Sequence, residues 1–358
     1  MSERSLKRIH LRLALAAVLL VLTYPAATAQ DADTAKGSVP PLQVRQAVER
    51  IRSATLSEND FARAVALGTS LLREGRFAEA ADLFTALAEK KPLDPMVLYG
   101  AALATFNTGR TTDAEPLARR AVDAALETKA SDSTGRSSNQ RAADALVLLA
   151  VVLAVRHNDA GALSAAERAV NLAPDNFDAQ LALGRAMFGM GNDLGAARSF
   201  RAAIALRPGD PQTLFFLATA LEHGGDTQAA LKTYRDLVAL RPEIADGHLG
   251  LGVLLLKRGG ADTDEGMKEL ERAVQIDTSL YEAHVTLGRL LVARGRPAEA
   301  IEHLQRAAKL APANPEPHYQ LSLAYQRLGR KDEASAESAI VKRIHATRRG
   351  VAPGGPNE

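Results

Sequence analysis

"IALRPGDPQ", residues 204–212, and "VALRPEIAD", residues 238–246, carry the same phrase: an apolar, helix-like run that stops at Leu-Arg-Pro. Proline lacks the backbone donor that a helix interior needs and disfavours the helical conformation at the residue before it, so Pro208 and Pro242 should each end a helix. Looser copies stand at "NLAPDNFDA" around Pro174 and "KLAPANPEP" around Pro312. Pro174, Pro208 and Pro242 follow one another at intervals of 34 residues, a period that marks stacked repeat units.

Extending the register from Pro208 gives eight units, at 61–94, 95–128, 143–176, 177–210, 211–244, 245–280, 281–314 and 315–348, each read as two helices around a short turn. The turn carries Gly75, Gly109, Gly191, Gly225, Gly259, Gly295 and Gly329, with His157 alone departing, and glycine closes a helix in the left-handed conformation without steric cost. Earlier in each unit a large residue sits beside a small one, as in Leu67-Gly68, Leu183-Gly184, Leu251-Gly252 and Leu287-Gly288. In the second helix Ala80, Ala114, Ala162, Ala196, Ala230, Ala300 and Ala334 hold one place, and Gly266 holds it in the sixth unit. A small residue there lets two helices approach closely, and the bulkier Phe84, Phe200, Tyr234, Leu270 and Leu304 four places on fill the space beside it.

Composition agrees with an all-α chain. The 358 residues are 46% hydrophobic but only 4% aromatic, with no Trp and much Ala, the best helix former. There is no Cys, which excludes disulfides, thiolate metal sites, Cys nucleophiles and a lipid-attachment Cys.

The first residues place Arg4, Lys7, Arg8 and Arg12 before an apolar run, Leu13 to Leu22, and then Ala27-Thr28-Ala29. This is the layout of a secretory signal peptide over 1–29, with cleavage expected after Ala29 and a periplasmic or secreted product. An uncleaved inner-membrane anchor is the competing reading, although the apolar run is about half the roughly 20 residues that a span needs. Four basic side chains and one acidic one in this segment exceed the whole chain's net charge of +2, so the remainder is close to neutral. That removes an electrostatic case for nucleic acid. Residues 30–41 read as a flexible leader, and 42–56 as an N-terminal capping helix, after which Ser57 and Asp60 resemble a capping box.

The pattern of small-Leu-small, Gly turn, Ala, aromatic or Leu, and terminal Pro resembles the tetratricopeptide repeat, over residues 61–348. The resemblance implies a right-handed α-solenoid superhelix of about eight helix-turn-helix units. Three features depart from it. A Ser-rich insertion over 129–142, "KASDSTGRSSNQRA", reads as a mobile loop, and the sixth unit has two extra residues in "RGGADTDEG". The last unit ends in a basic helix with Lys342, Arg343, Arg348 and Arg349, followed by a tail over 349–358 expected to be disordered.

In this family the first helices line a concave groove, and the resemblance places positions 2, 5, 9, 12 and 13 of each unit there. The partner-binding candidates are Tyr99, Phe106, Asn107, Arg185, Phe188, Phe215, His223, Lys257, Arg289, Tyr319 and Arg327, with Leu103 and Leu249 at further groove positions. Such a floor suits a protein or peptide segment with apolar anchors and some negative charge. The plainer reading is that many of the apolar residues touch the neighbouring helix instead. Arrays that grip an acidic C-terminus use Lys at position 5 and Asn at position 9; here position 5 holds residues such as Val65, Tyr99, Phe215 and Tyr319, which argues against that clamp.

No constellation for catalysis and no phosphate cradle is evident, and neither a cofactor nor a metal is expected. His248, His284 and His318 share the fourth position of three successive units, which invites a metal ladder. The preferred reading is packing, because no carboxylate shell is seen to recur beside them. "ADTDEG", residues 261–266, lacks the Gly and distal Glu of a helix-loop-helix calcium site and reads as a solvated turn. The expected function is that of a non-enzymatic scaffold or adaptor. The alternatives are a component of an envelope polysaccharide, pilus-assembly or secretion complex, or a regulatory subunit of an enzyme such as a glycosyltransferase.

Overall fold

Four of the repeating prolines follow helices that stop two residues earlier, at Leu172, Leu206, Leu240 and Leu310. The residue before each proline, Ala173, Arg207, Arg241 or Ala311, has left the helical region, with φ between −145° and −135° and ψ between 71° and 84°, in keeping with crowding by the proline ring.

The computed structural model describes residues 40–128 and 135–348. Among these there are 17 helices and no strand: α1 (Pro41–Ser53), α2 (Glu58–Arg73), α3 (Phe77–Lys90), α4 (Pro95–Asn107), α5 (Thr111–Glu127), α6 (Ser138–Val155), α7 (Asp159–Leu172), α8 (Phe177–Gly189), α9 (Asp193–Leu206), α10 (Pro211–His223), α11 (Thr227–Leu240), α12 (Ala245–Arg258), α13 (Asp262–Ile276), α14 (Tyr281–Ala293), α15 (Pro297–Leu310), α16 (Pro315–Arg327) and α17 (Lys331–Arg348). The segments read as signal and C-terminal tail, residues 30–39 of the leader, and most of the first half of the 129–142 insertion lie outside the described residues.

The chain divides into two compact units, one ending at Pro208 and the other starting at Gly209. In the first, α1 packs on α3, and the pairs α2/α3, α4/α5, α6/α7 and α8/α9 stack in chain order. In the second, the pairs are α10/α11, α12/α13, α14/α15 and α16/α17. Each unit is therefore an all-α repeat stack, and from α2 on every helix of a unit packs against its sequence neighbours within that unit, whereas α1 reaches past α2 to α3.

Caps and turns repeat with the register. Asp94, Asn176, Asp210 and Asn314 cap first helices; Asp210 Oδ2, for example, accepts from the Thr213 amide at 2.9 Å, and Pro211 occupies the first turn. Asn158, Asn192 and Asp226 cap second helices in the same way. The seven turn glycines have φ between 72° and 86°, and His157 takes the same place at 61°, the one positive φ on a non-glycine among the described residues.

The paired helices interlock through the small position. Phe84 is fully buried, and its ring lies between Gly68 and Gly100, where added β-carbons would stand 2.7 and 2.6 Å from Cζ. The alanines at the close crossing, including Ala80, Ala114, Ala196, Ala230 and Ala300, are fully buried.

Three boundaries differ from the sequence reading. The capping helix starts at Pro41, the last residue of the expected leader, and ends at Ser53 rather than 56. Helix α6 begins at Ser138, inside the span expected to be an inserted loop up to 142, because Ser137 and Gln140 form a reciprocal capping box. Arg141, buried in the first turn of α6, donates to the carbonyls of Arg136 at 2.8 Å and Thr128 at 3.0 Å, so it ties the start of α6 to the end of α5.

Candidate functional site

Residues four and seven places apart share one stripe of a helix, so the groove positions of each first helix lie on a common face. In the first unit the first helices α2, α4, α6 and α8 contact one another in succession; in the second, α10 contacts α12 and α14 contacts α16. Each unit thus presents a face built from first helices.

On the first unit's face, Tyr99 and Phe106 of α4 are half-buried against the core, and Asn107 turns back to donate to the Leu103 carbonyl at 2.8 Å. Arg185 and Phe188 of α8 are half-buried. The Arg185 Nη2 is enclosed, and burial pushes its pKa down to about 10, which leaves it a cation at neutral pH. Between these helices stands α6, whose half-buried Val151 and Val155 occupy the same register. Sequence reasoning missed them, although applying the groove positions to the third pair would have found them. By length and composition α6 is apolar enough to cross a membrane, but 67% of that stretch is buried inside the protein, as in a core helix.

On the second unit's face, Phe215 of α10 is half-buried and packs edge-on against Phe216 and Tyr234, with ring centroids 6.1 and 6.2 Å away. His223, the last residue of α10, is half-buried. Lys257 of α12 is exposed and pairs with Glu222 of α10. Arg289 of α14 is exposed, and Tyr319 of α16 is 51% exposed. Arg327 donates to the Val292 carbonyl at the end of α14. Lys257 and Arg327 are therefore engaged within the protein, and Arg289 is the candidate cation that faces outward most plainly. Leu103 and Leu249 are buried and belong to the core, where the plainer reading of the apolar positions holds.

The histidine register departs from the sequence reading. Position 4 of the first helix faces the second helix of the same pair, 19 or 21 residues on, and carboxylates do recur there. His248 Nδ1 lies 2.6 Å from Glu269 Oε2, and His318 Nδ1 lies 2.6 Å from Glu337 Oε2. In the middle pair His303 takes the carboxylate's place, with its Nδ1 3.1 Å from that of His284. The partners were not seen in the sequence because they lie beyond the turn, on a different helix. His248 Nε2 also faces the Pro242 carbonyl at 3.1 Å, and His284 Nε2 faces that of Thr278 at 3.2 Å. Burial holds His284 and His303 below the usual imidazole value, and each ring's neighbourhood adds charge: His303 and Arg306 lower His284 further, while Glu302 and Glu271 oppose the shift at His303.

The three histidines do not form one ladder; they make three separate pairs, and no group of three or more metal-ligating side chains gathers among the described residues. The acids of the 261–266 stretch open α13, where Asp262 pairs with Arg258 at 3.2 Å, Glu265 with Arg235 at 2.9 Å, and Asp264 with Arg294. They are thus neutralised by arginines rather than gathered around a common point.

A family model described as tetratricopeptide repeat matches residues 65–127, 160–211, 181–243 and 216–280, and one described as TPR repeat matches 288–329. Among solved structures, the APC/C hetero-tetramer Cut9–Hcn1 is similar at a TM-score of 0.56 and 16% identity, over 78% of this chain and 52% of that one. The C-terminal part of a TPR repeat-containing protein from Cytophaga hutchinsonii is similar at a TM-score of 0.52 and 16% identity, over 72% of this chain and 99% of that one. PilF of Pseudomonas aeruginosa is similar at a TM-score of 0.52 and 17% identity, over 58% of this chain and 94% of that one. No curated protein sequence matches. At these identities the structural likeness is one of fold.

Proposed function

Because the chain belongs to the tetratricopeptide repeat family, we propose that it is a non-enzymatic scaffold that holds a segment of another protein on its first-helix faces. The observation that carries this reading is the arrangement of those faces: half-buried Phe106, Val151, Val155 and Phe188 in the first unit, and exposed Arg289 and Tyr319 on touching helices in the second. Apolar side chains set along parallel helices suit an extended or helical segment with apolar anchors. Arg289 adds a site for one negative charge of the partner, a narrower electrostatic demand than four free cations would make.

The reading includes export. Residues 1–29 act as a signal removed after Ala29, and the mature protein works in the periplasm or outside the cell; N-terminal sequencing of the purified protein checks this, and a chain that still begins at Met1 contradicts it.

Affinity capture from the cell envelope tests the scaffold role, with the wild type and the Arg289→Glu, Tyr319→Ala double variant as parallel baits. Both positions are exposed, so the variant should keep its helicity. A protein held by the wild type and lost from the variant supports the reading; capture that is the same with both moves the site off this face. Phe215→Ala is a poorer probe, because its ring also supports Phe216 and Tyr234.

A further inference from the structure

We infer that His284 and His303 form a two-nitrogen chelate for a divalent transition-metal ion of the zinc, nickel or copper class. The two Nδ1 atoms lie 3.1 Å apart, on α14 and α15. Two imidazole nitrogens bound about 2.0–2.1 Å from one tetrahedral zinc stand roughly 3.3–3.4 Å apart, so the nitrogens need separate by only a few tenths of an ångström, while each ring turns by roughly 35° to bring its lone pair from the line between them onto the ion.

Tautomer accounting supports the same assignment. The Thr278 carbonyl 3.2 Å from His284 Nε2 requires a proton there, which leaves the Nδ1 lone pair directed at His303. A backbone carbonyl that fixes the far nitrogen of a ligating imidazole is the usual outer support of such sites. Without metal, His303 Nδ1–H donates to His284 Nδ1. On binding, that proton leaves Nδ1, and His303 takes one from solvent at Nε2, so both lone pairs reach the ion and the neutral pair releases no net proton.

The surroundings suit a cation. Glu271 on α13 and Glu302 on α15 both favour positive charge at His303, and Arg306 opposes it at His284. His303 is half-buried, which leaves water able to complete the coordination. The two flanking pairs provide the contrast, since each places a glutamate where His303 stands and its carboxylate already engages the histidine.

The test uses untagged protein with Ni²⁺ and Zn²⁺ as probes, by isothermal titration and long-range ¹H–¹⁵N spectra of the imidazoles. The expected result is one ion per chain, with both Nδ1 resonances shifted. His303→Leu puts here the residue that the first two pairs carry at this position, Leu83 and Leu117, so it should fold, and with one ligating nitrogen gone it should bind more weakly by more than the roughly tenfold that loss of an outer-shell partner costs. His345→Gln, an exposed residue outside the pairs, should bind as the wild type does. Binding by His303→Leu equal to the wild type, or saturation with either Nδ1 resonance unmoved, overturns the assignment.

Discussion

Gly184 on α8 faces the Phe200 ring on α9 so closely that a β-carbon would stand 2.5 Å from Cε1. Gly184→Ala gains about 1 kcal/mol of helix propensity, but overpacking against a fully buried ring costs about 1–3 kcal/mol, so a net loss is expected. Where other repeats put alanine in this place, as at Ala102 and Ala150, the residue at the register position of Phe200 is itself an alanine, Ala118 or Ala166. Gly184→Ala with Phe200→Ala should therefore be more stable than the two single changes predict, by at least about 0.5 kcal/mol in a double-mutant cycle from urea unfolding. Simple additivity would mean that the two residues do not set each other's size.

His157 holds the turn position that glycine fills in the seven other pairs, at φ 61°. Left-handed backbone costs a non-glycine residue roughly 1–2 kcal/mol, and glycine's greater unfolded freedom offsets part of that relief. His157→Gly should stabilise the protein slightly and raise its thermal midpoint. A lowered midpoint would show that the exposed imidazole makes a contact worth more than the strain.

Arg141 joins the start of α6 to the Thr128 carbonyl at the end of α5. Removing a buried charged donor costs about 1.5–3 kcal/mol. Arg141→Ala should lose about that much stability, with faster hydrogen exchange first in the opening turn of α6. Exchange that rises evenly across the protein would argue against a local tie.

Stability should also fall in mild acid. The folded state holds His284 and His303 below the ordinary imidazole value of 6.5, so the unfolded chain binds more protons around that pH. Stability rises with pH wherever the unfolded state binds more protons, so this contribution is complete above the unfolded value and is lost as pH falls through and below it. The urea midpoint should drop between pH 7.5 and pH 5, and less so in His303→Gln. An equal drop in that variant would assign the effect to other groups.

The helices, their caps and their turns were legible in the sequence because each rests on local chemistry: a proline two residues past Leu206, an aspartate at 210, a glycine at 225. The His157 departure was visible too, since it breaks a periodic column. The start of α6 was misjudged because a Ser-rich composition reads as a loop even where Ser137 and Gln140 cap a helix. Partners across a turn were harder still. Glu269, His303 and Glu337 face their histidines only once two helices have packed, and the pairing of Lys257 with Glu222 joins residues 35 apart in sequence. Which groove positions face outward depends on that packing as well, which is why Leu103 and Leu249 moved from the face to the core.

The central claim is that a partner segment lies on the first-helix faces, and site-specific photocrosslinking in the native cell tests it most directly. A photoreactive amino acid is placed at Phe188 or Tyr319 on those faces, and at the exposed second-helix positions Arg201 or Lys232. The account predicts a discrete crosslinked species from Phe188 and Tyr319 and none from Arg201 and Lys232. Crosslinks confined to Arg201 and Lys232 would contradict it and move the binding surface to the second helices.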